Sequence, residues 1–212
     1  MCVSSARVKE KWNVALPVVL VIAFAVTRWP GLMPPNFSAA YALAFCAGAY
    51  FPPRYALWVP FAAMLGSDII INIFYYHVAP VGSYMLVSYS IYALLIAFGH
   101  WIGHRASFLK LLGGGLLGAL LFFFISNTCA WLANPVYLKT FAGWVKALTT
   151  GIDGFPPTLL FLKNTLLSGG MFTGLFVGAM KAAEATEPEP QEKEVPEETE
   201  EAERPEGEEA KA

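Results

Sequence analysis

Acidic side chains are nearly absent from the first 181 residues, where Glu10, Asp68 and Asp153 are the only three. Paired catalytic carboxylates are therefore missing, and acid–base hydrolysis has few parts to work with. No Ser-His-Asp set and no HExxH motif occurs, and the glycine-rich "LLGGGLLGAL" lacks the GKS or GKT ending that a phosphate loop needs. The expectation is a protein that is not an enzyme and carries no cofactor. Cysteine is also scarce. Three thiols build no disulfide framework, and Cys46 and Cys129 fall in apolar runs, where a thiol behaves as a small hydrophobe. Cys2 is open to lipidation. The first apolar run lacks a small-residue cleavage site and reads as a retained helix rather than a signal peptide. His100 and His104 in "HWIGHR" lie four apart on one helical face. Arg105 stands beside them with no Asp, Glu or Cys nearby, so they read as a helix end meeting headgroups rather than a metal site.

What the chain has instead is apolar length. It is 56% hydrophobic over 212 residues, with a mean hydropathy of +0.51, which points to a polytopic membrane protein. The net charge of −2 conceals a strong segregation. Residues 182–212 hold thirteen Glu against Lys193, Arg204 and Lys211, whereas the first 181 residues carry eleven Lys and Arg against three acids. The acidic tail has no aromatics and cannot offset its ordering entropy by burial, so disorder is expected over 182–212.

A spanning helix needs about 20 mostly apolar residues. Six candidates fit, at 13–29, 37–52, 55–76, 83–103, 108–131 and 158–180, punctuated by Pro30, Pro34-Pro35, Pro52-Pro53, Pro80 and Pro156-Pro157. The second is short and rich in small residues, the pattern of a buried or tilted helix. With residues 1–12 inside, Arg7, Lys9, Lys11, Arg54, Arg105, Lys110 and Lys181 are cytoplasmic, and Arg28, Lys139 and Lys146 are outside. This asymmetry places both termini in the cytoplasm. The expected class is all-α, with six transmembrane helices in a bacterial cytoplasmic (inner) membrane. Residues 134–157 lie outside, and Tyr137, Phe141, Trp144 and Leu148 form a helical stripe there. They predict an interfacial helix able to act as a lid.

Small residues recur every four positions at Ala40, Ala44 and Gly48, and again at Gly170, Gly174 and Gly178, with Gly114 and Gly118 as a further pair. Such faces let helix backbones approach closely.

Polar residues are unevenly distributed in depth. At about 1.5 Å per residue, Asp68 lies about 20 Å along the third span, in its outer half, and Asn72 one turn higher on the same face. Ser126, Asn127 and Trp131 end the fifth span, and Lys163 and Asn164 fall in the first turns of the sixth. Tyr84, Ser88 and Tyr89 open the fourth span, Arg28 and Trp29 close the first, and Asn36 opens the second. The inner halves are aliphatic, Gly or Phe. Intramembrane charges face a bundle interior or a wet cavity, and are paired. An outward cavity is therefore expected, with Asp68 and Lys163 as candidate partners by depth.

"RWPGLMPPNFSAAYALAFCAGAYF", "PFAAMLGSDIII", "SNTCAWLANPVYLKT" and "FLKNTLLSGGMFTGLF" resemble an uncharacterised bacterial six-helix membrane family over about residues 28–178. That family is similar to the substrate-binding (S) components of energy-coupling-factor transporters. The resemblance implies a binder of a small vitamin-like solute in an outward-facing pocket, with a coupling transmembrane subunit and ATPases as partners. It places Asn36, Asp68, Asn127, Trp131, Lys163 and Asn164 near that pocket, and Asn72 joins them as Asp68's neighbour. The first span departs from the Ala-x-x-x-Ala docking face that S components often carry in their first helix, since Ala15, Ala23 and Ala25 are not four apart. A structural or assembly role, with the acidic tail recruiting a partner, is the alternative.

Overall fold

The structure is a computed structural model that describes residues 4–185, with side chains from residue 15 onward. The disorder expected for the acidic tail falls, beyond Ala185, outside the described residues, as do Cys2 and the chain termini. Among the described residues the chain is all-helical: α1 Ser4–Arg28, α2 Ala40–Tyr50, α3 Pro53–Ala56, α4 Trp58–Phe74, α5 Tyr84–Ile102, α6 Phe108–Ala133, α7 Phe141–Leu148 and α8 Thr158–Ala185.

Proline and glycine set most of the boundaries. Pro52 and Pro53 follow α2, and Pro53 occupies the start of α3, where its missing N–H costs nothing. Pro60 has no N–H to give to the Ala56 carbonyl, and the third expected span is broken at Leu57 into α3 and α4. Gly103 closes α5 with φ at +72° and its N–H on the Gly99 carbonyl at 2.9 Å, a conformation that favours glycine. Ser107 and Thr140 cap α6 and α7 by accepting from the backbone N–H groups of Lys110 and Gly143.

Among the described residues, four segments are long and apolar enough to cross a membrane: Pro53–Phe74, Tyr84–Ile102, Phe108–Ala133 and Thr158–Ala185. They correspond to the last four of the six spans expected from the sequence, and the first two expected spans are represented by shorter apolar helices, Ala15–Arg28 and Ala40–Tyr50. The apolar stretch of α1 covers Ala15–Arg28, and α2, with 11 residues, is about 16 Å long against a hydrocarbon core of about 30 Å. Two ends also move. α1 begins at Ser4 rather than residue 13, and α8 runs to Ala185, carrying Glu184 of the acidic tail in its last turn.

α2 is the axis of the bundle. Every residue from Ala40 to Ala49 is buried, and α1, α4, α5, α6 and α8 pack around it. Its closest neighbour is α5, and the two run side by side in the same direction. A Cβ on Gly48 would collide with the Ile96 carbonyl, and one on Gly99 with the Phe45 carbonyl, so the backbones touch where neither helix has a side chain. α6 and α8 pack antiparallel as ridge and groove. Gly170, Gly174 and Gly178 face Leu116, Leu112 and Phe108 in turn. The small-residue faces read from the sequence are thus internal seams, and Gly99 completes the one at Gly48.

Candidate functional site

The end of the bundle where α1 finishes and α2 begins is open. A cleft of about 960 Å³ lies between the 29–38 connection, the starts of α2 and α5, and the last turns of α1 and α4. Its depth is lined by Ala40, Tyr41, Tyr92 and Phe122, and its mouth by Trp29, Met33, Tyr75, Tyr76 and Val78. The inner rings hold each other. Phe122 meets Tyr41 edge-on at 4.9 Å between centroids and stacks on Tyr92 at 5.1 Å.

Asp68 stands in the wall of this cleft, 5% exposed. A buried carboxylate persists only with partners, and Asp68 has one on each oxygen. Arg28, the last residue of α1, donates from its terminal nitrogen to Oδ1 in an ion pair. The Tyr89 hydroxyl of α5 donates to Oδ2 at 2.7 Å. One side chain of α4 thereby ties α1 and α5 together. The guanidinium of Arg28 also lies 5.8 Å from the Phe24 ring centroid, and the Tyr92 hydroxyl is beside it.

One turn above Asp68, Asn72 makes a second tie to α5. Its amide donates to the Tyr84 hydroxyl at 2.9 Å and to the Pro80 carbonyl at 3.1 Å, and its carbonyl accepts from the same hydroxyl at 3.2 Å. α4 is therefore joined to α5 at this end chiefly through hydrogen bonds between side chains. The 29–38 connection is fixed from three sides. Thr27 accepts from the Ala39 N–H at 3.1 Å, the Tyr41 hydroxyl reaches the Asn36 carbonyl at 3.4 Å, and Asn164 of α8 donates to the Pro35 carbonyl at 2.8 Å. Asn36 itself adopts φ of +61°, a turn conformation that asparagine tolerates better than most residues.

The residues singled out in the sequence divide sharply. Asn36, Asp68 and Asn72 line the cleft, and Asn164 is buried behind it as a support for its wall. Lys163 is exposed on α8, and the expected pairing with Asp68 is corrected to Arg28. Asn127 donates back to the Phe123 carbonyl of its own helix at 2.8 Å. Trp131 donates to the Leu138 carbonyl at 2.9 Å, bracing the turn after α6. Neither lines the cleft. The lid expected from residues 134–157 is also corrected. α7 covers Phe141–Leu148 only and packs on α6 and α8, with Trp144 donating to Thr128 at 2.9 Å, while the mouth of the cleft is bordered by the 29–38 and 75–78 connections.

Sequence reasoning undervalued Arg28, Tyr89, Tyr41 and Tyr92. Arg28 was visible as a cation closing the first span, and its position at the end of an apolar run disguised it as an ordinary boundary residue. The sequence profile of a family of unknown function, DUF6580, matches residues 8–191. No functionally curated protein matches the chain.

Proposed function

Starting from a chain that belongs to the DUF6580 family of unknown function, we propose that it captures a small, vitamin-like organic solute in the cleft. The observation that carries this reading is the size and lining of the cleft. About 960 Å³ is at the upper end of what small-molecule pockets occupy, and aromatic rings with a few convergent polar groups are their usual lining. The ion pair Arg28–Asp68 adds orientation, since it sits in the wall rather than on the surface. In this reading the chain crosses the bacterial inner membrane six times with both termini in the cytoplasm, and the cleft faces outward. It then acts like an S component, handing its solute to a coupling transmembrane subunit driven by ATPases.

Purified protein in detergent, heated against a panel of vitamins and cofactor precursors, tests the binding claim. A stabilising shift with one solute, lost on Asp68→Ala, is the expected result. The absence of a shift with every member of the panel removes the reading. Truncation after Ala185 separates it from an assembly role for the acidic tail, because solute binding should survive that truncation unchanged.

A further inference from the structure

We infer that the cleft selects molecules that are flat, carry no net charge and present a hydrogen-bond acceptor such as a ring carbonyl; this rests on the solute-binding reading above. Three observations lead there. First, Arg28 and Asp68 are the only formally charged residues among the described residues lining the cleft, and they neutralise each other. A carboxylate or phosphate on the solute that reached Arg28 would come to rest beside Asp68, and the repulsion would cancel much of the attraction. A solute cation approaching Asp68 would meet Arg28 in the same way.

Second, the two members of the pair are not equally available. Both oxygens of Asp68 are engaged, by Arg28 and Tyr89, and its side chain is 7% exposed. Arg28 keeps 23% of its side-chain surface open and has five N–H donors, of which Asp68 takes one in a single-nitrogen contact and the Tyr92 hydroxyl engages another, leaving three. The group turned toward a solute is therefore a donor, held in place by a carboxylate that is itself occupied. Its complement is an acceptor.

Third, aromatic rings stand at the floor and at the mouth, with Tyr41, Tyr92 and Phe122 below and Trp29, Tyr75 and Tyr76 above. Rings recognise flat π-faces without demanding charge.

The experiment uses three probes built on one fluorescent isoalloxazine ring, which is flat and bears two ring carbonyls. They are the 10-methyl (uncharged), 10-carboxymethyl (anionic) and 10-aminoethyl (cationic) derivatives, titrated into full-length protein by fluorescence quenching. The uncharged probe is expected to bind at least tenfold more tightly than either charged one. Asp68→Asn should bring the anionic probe level with the uncharged probe or beyond it. If that variant does not fold, the double variant Arg28→Gln with Asp68→Asn, which carries no charge, should weaken the uncharged probe at least tenfold by removing the guanidinium donors. A charged probe that matches the uncharged one on the unaltered protein overturns the inference and leaves solute binding standing. Failure of all three probes also overturns it, and the solute panel then decides separately whether the cleft binds anything.

Discussion

The two ends of the bundle are held together by different forces. Around the cleft, helices meet through polar side chains: Asp68 to Arg28 and Tyr89, Asn72 to Tyr84, Asn164 to the Pro35 carbonyl. Toward the other end, α2 and α5 press backbone to backbone at Gly48 and Gly99, and α6 and α8 interlock through glycines and leucines. Contacts of the second kind leave no space for a solute and depend on shape alone. Contacts of the first kind leave room between the helices, and fix their spacing by the lengths of side chains. The contrast teaches that one short segment, α2, belongs to both regimes, with Ala40 and Tyr41 in the cleft and Gly48 in the glycine seam. The Lys181 ammonium, which donates to the His104 carbonyl at 2.8 Å, secures the end of α8 to the α5–α6 turn below that seam.

This comparison can be broken most severely at the seam. Gly99→Leu drives a side chain into the Phe45 carbonyl and should cost about 3 kcal/mol or more, enough to abolish folded protein on size-exclusion chromatography. If the variant remains monodisperse with an unchanged melting temperature, the dry end is looser than described. At the cleft, Asp68→Ala strands a partly buried guanidinium and should cost about 3 kcal/mol in thermal or denaturant unfolding, together with loss of solute binding. Asn72→Leu removes two ties to α5 and its preceding loop, at a cost of about 1–2 kcal/mol, and a larger loss in affinity than in stability is expected. Lys163→Ala should change stability by less than about 0.5 kcal/mol and leave solute affinity within twofold. A tenfold loss of affinity there would return Lys163 to the site and redraw the boundary of the cleft.

The fold class was legible because apolar length and proline breaks are one-dimensional signals. The seams were half legible: the spacing of Ala40, Ala44 and Gly48 named one side, while Gly99, a lone glycine in an ordinary apolar run, gave no spacing to read. At the site, sequence supplied height along the helices but not direction around them. Lys163 and Asn164 are neighbours at nearly equal depth, yet one is exposed and the other buried, because successive residues on a helix point about 100° apart. Depth alone therefore favoured Lys163 as Asp68's partner over Arg28. Asp68 and Asn72 escaped this difficulty, since two polar residues four apart share a face whatever that face meets.

The shortness of α2 accounts for the existence of the cleft. Gly48 of α2 is level with the stretch of α5 between Ile96 and His100, so Ala40 lies about six residues below the first residue of α5, or roughly 9 Å deeper. A cylinder of that height and of ordinary helix diameter encloses roughly 700 Å³, the same order as the cleft of about 960 Å³. The binding space is thus a vacancy in the shape of missing helix turns, at the centre of a bundle whose other members continue past it. Had the 29–39 connection been helical, Asp68 would face a neighbouring helix instead of an opening.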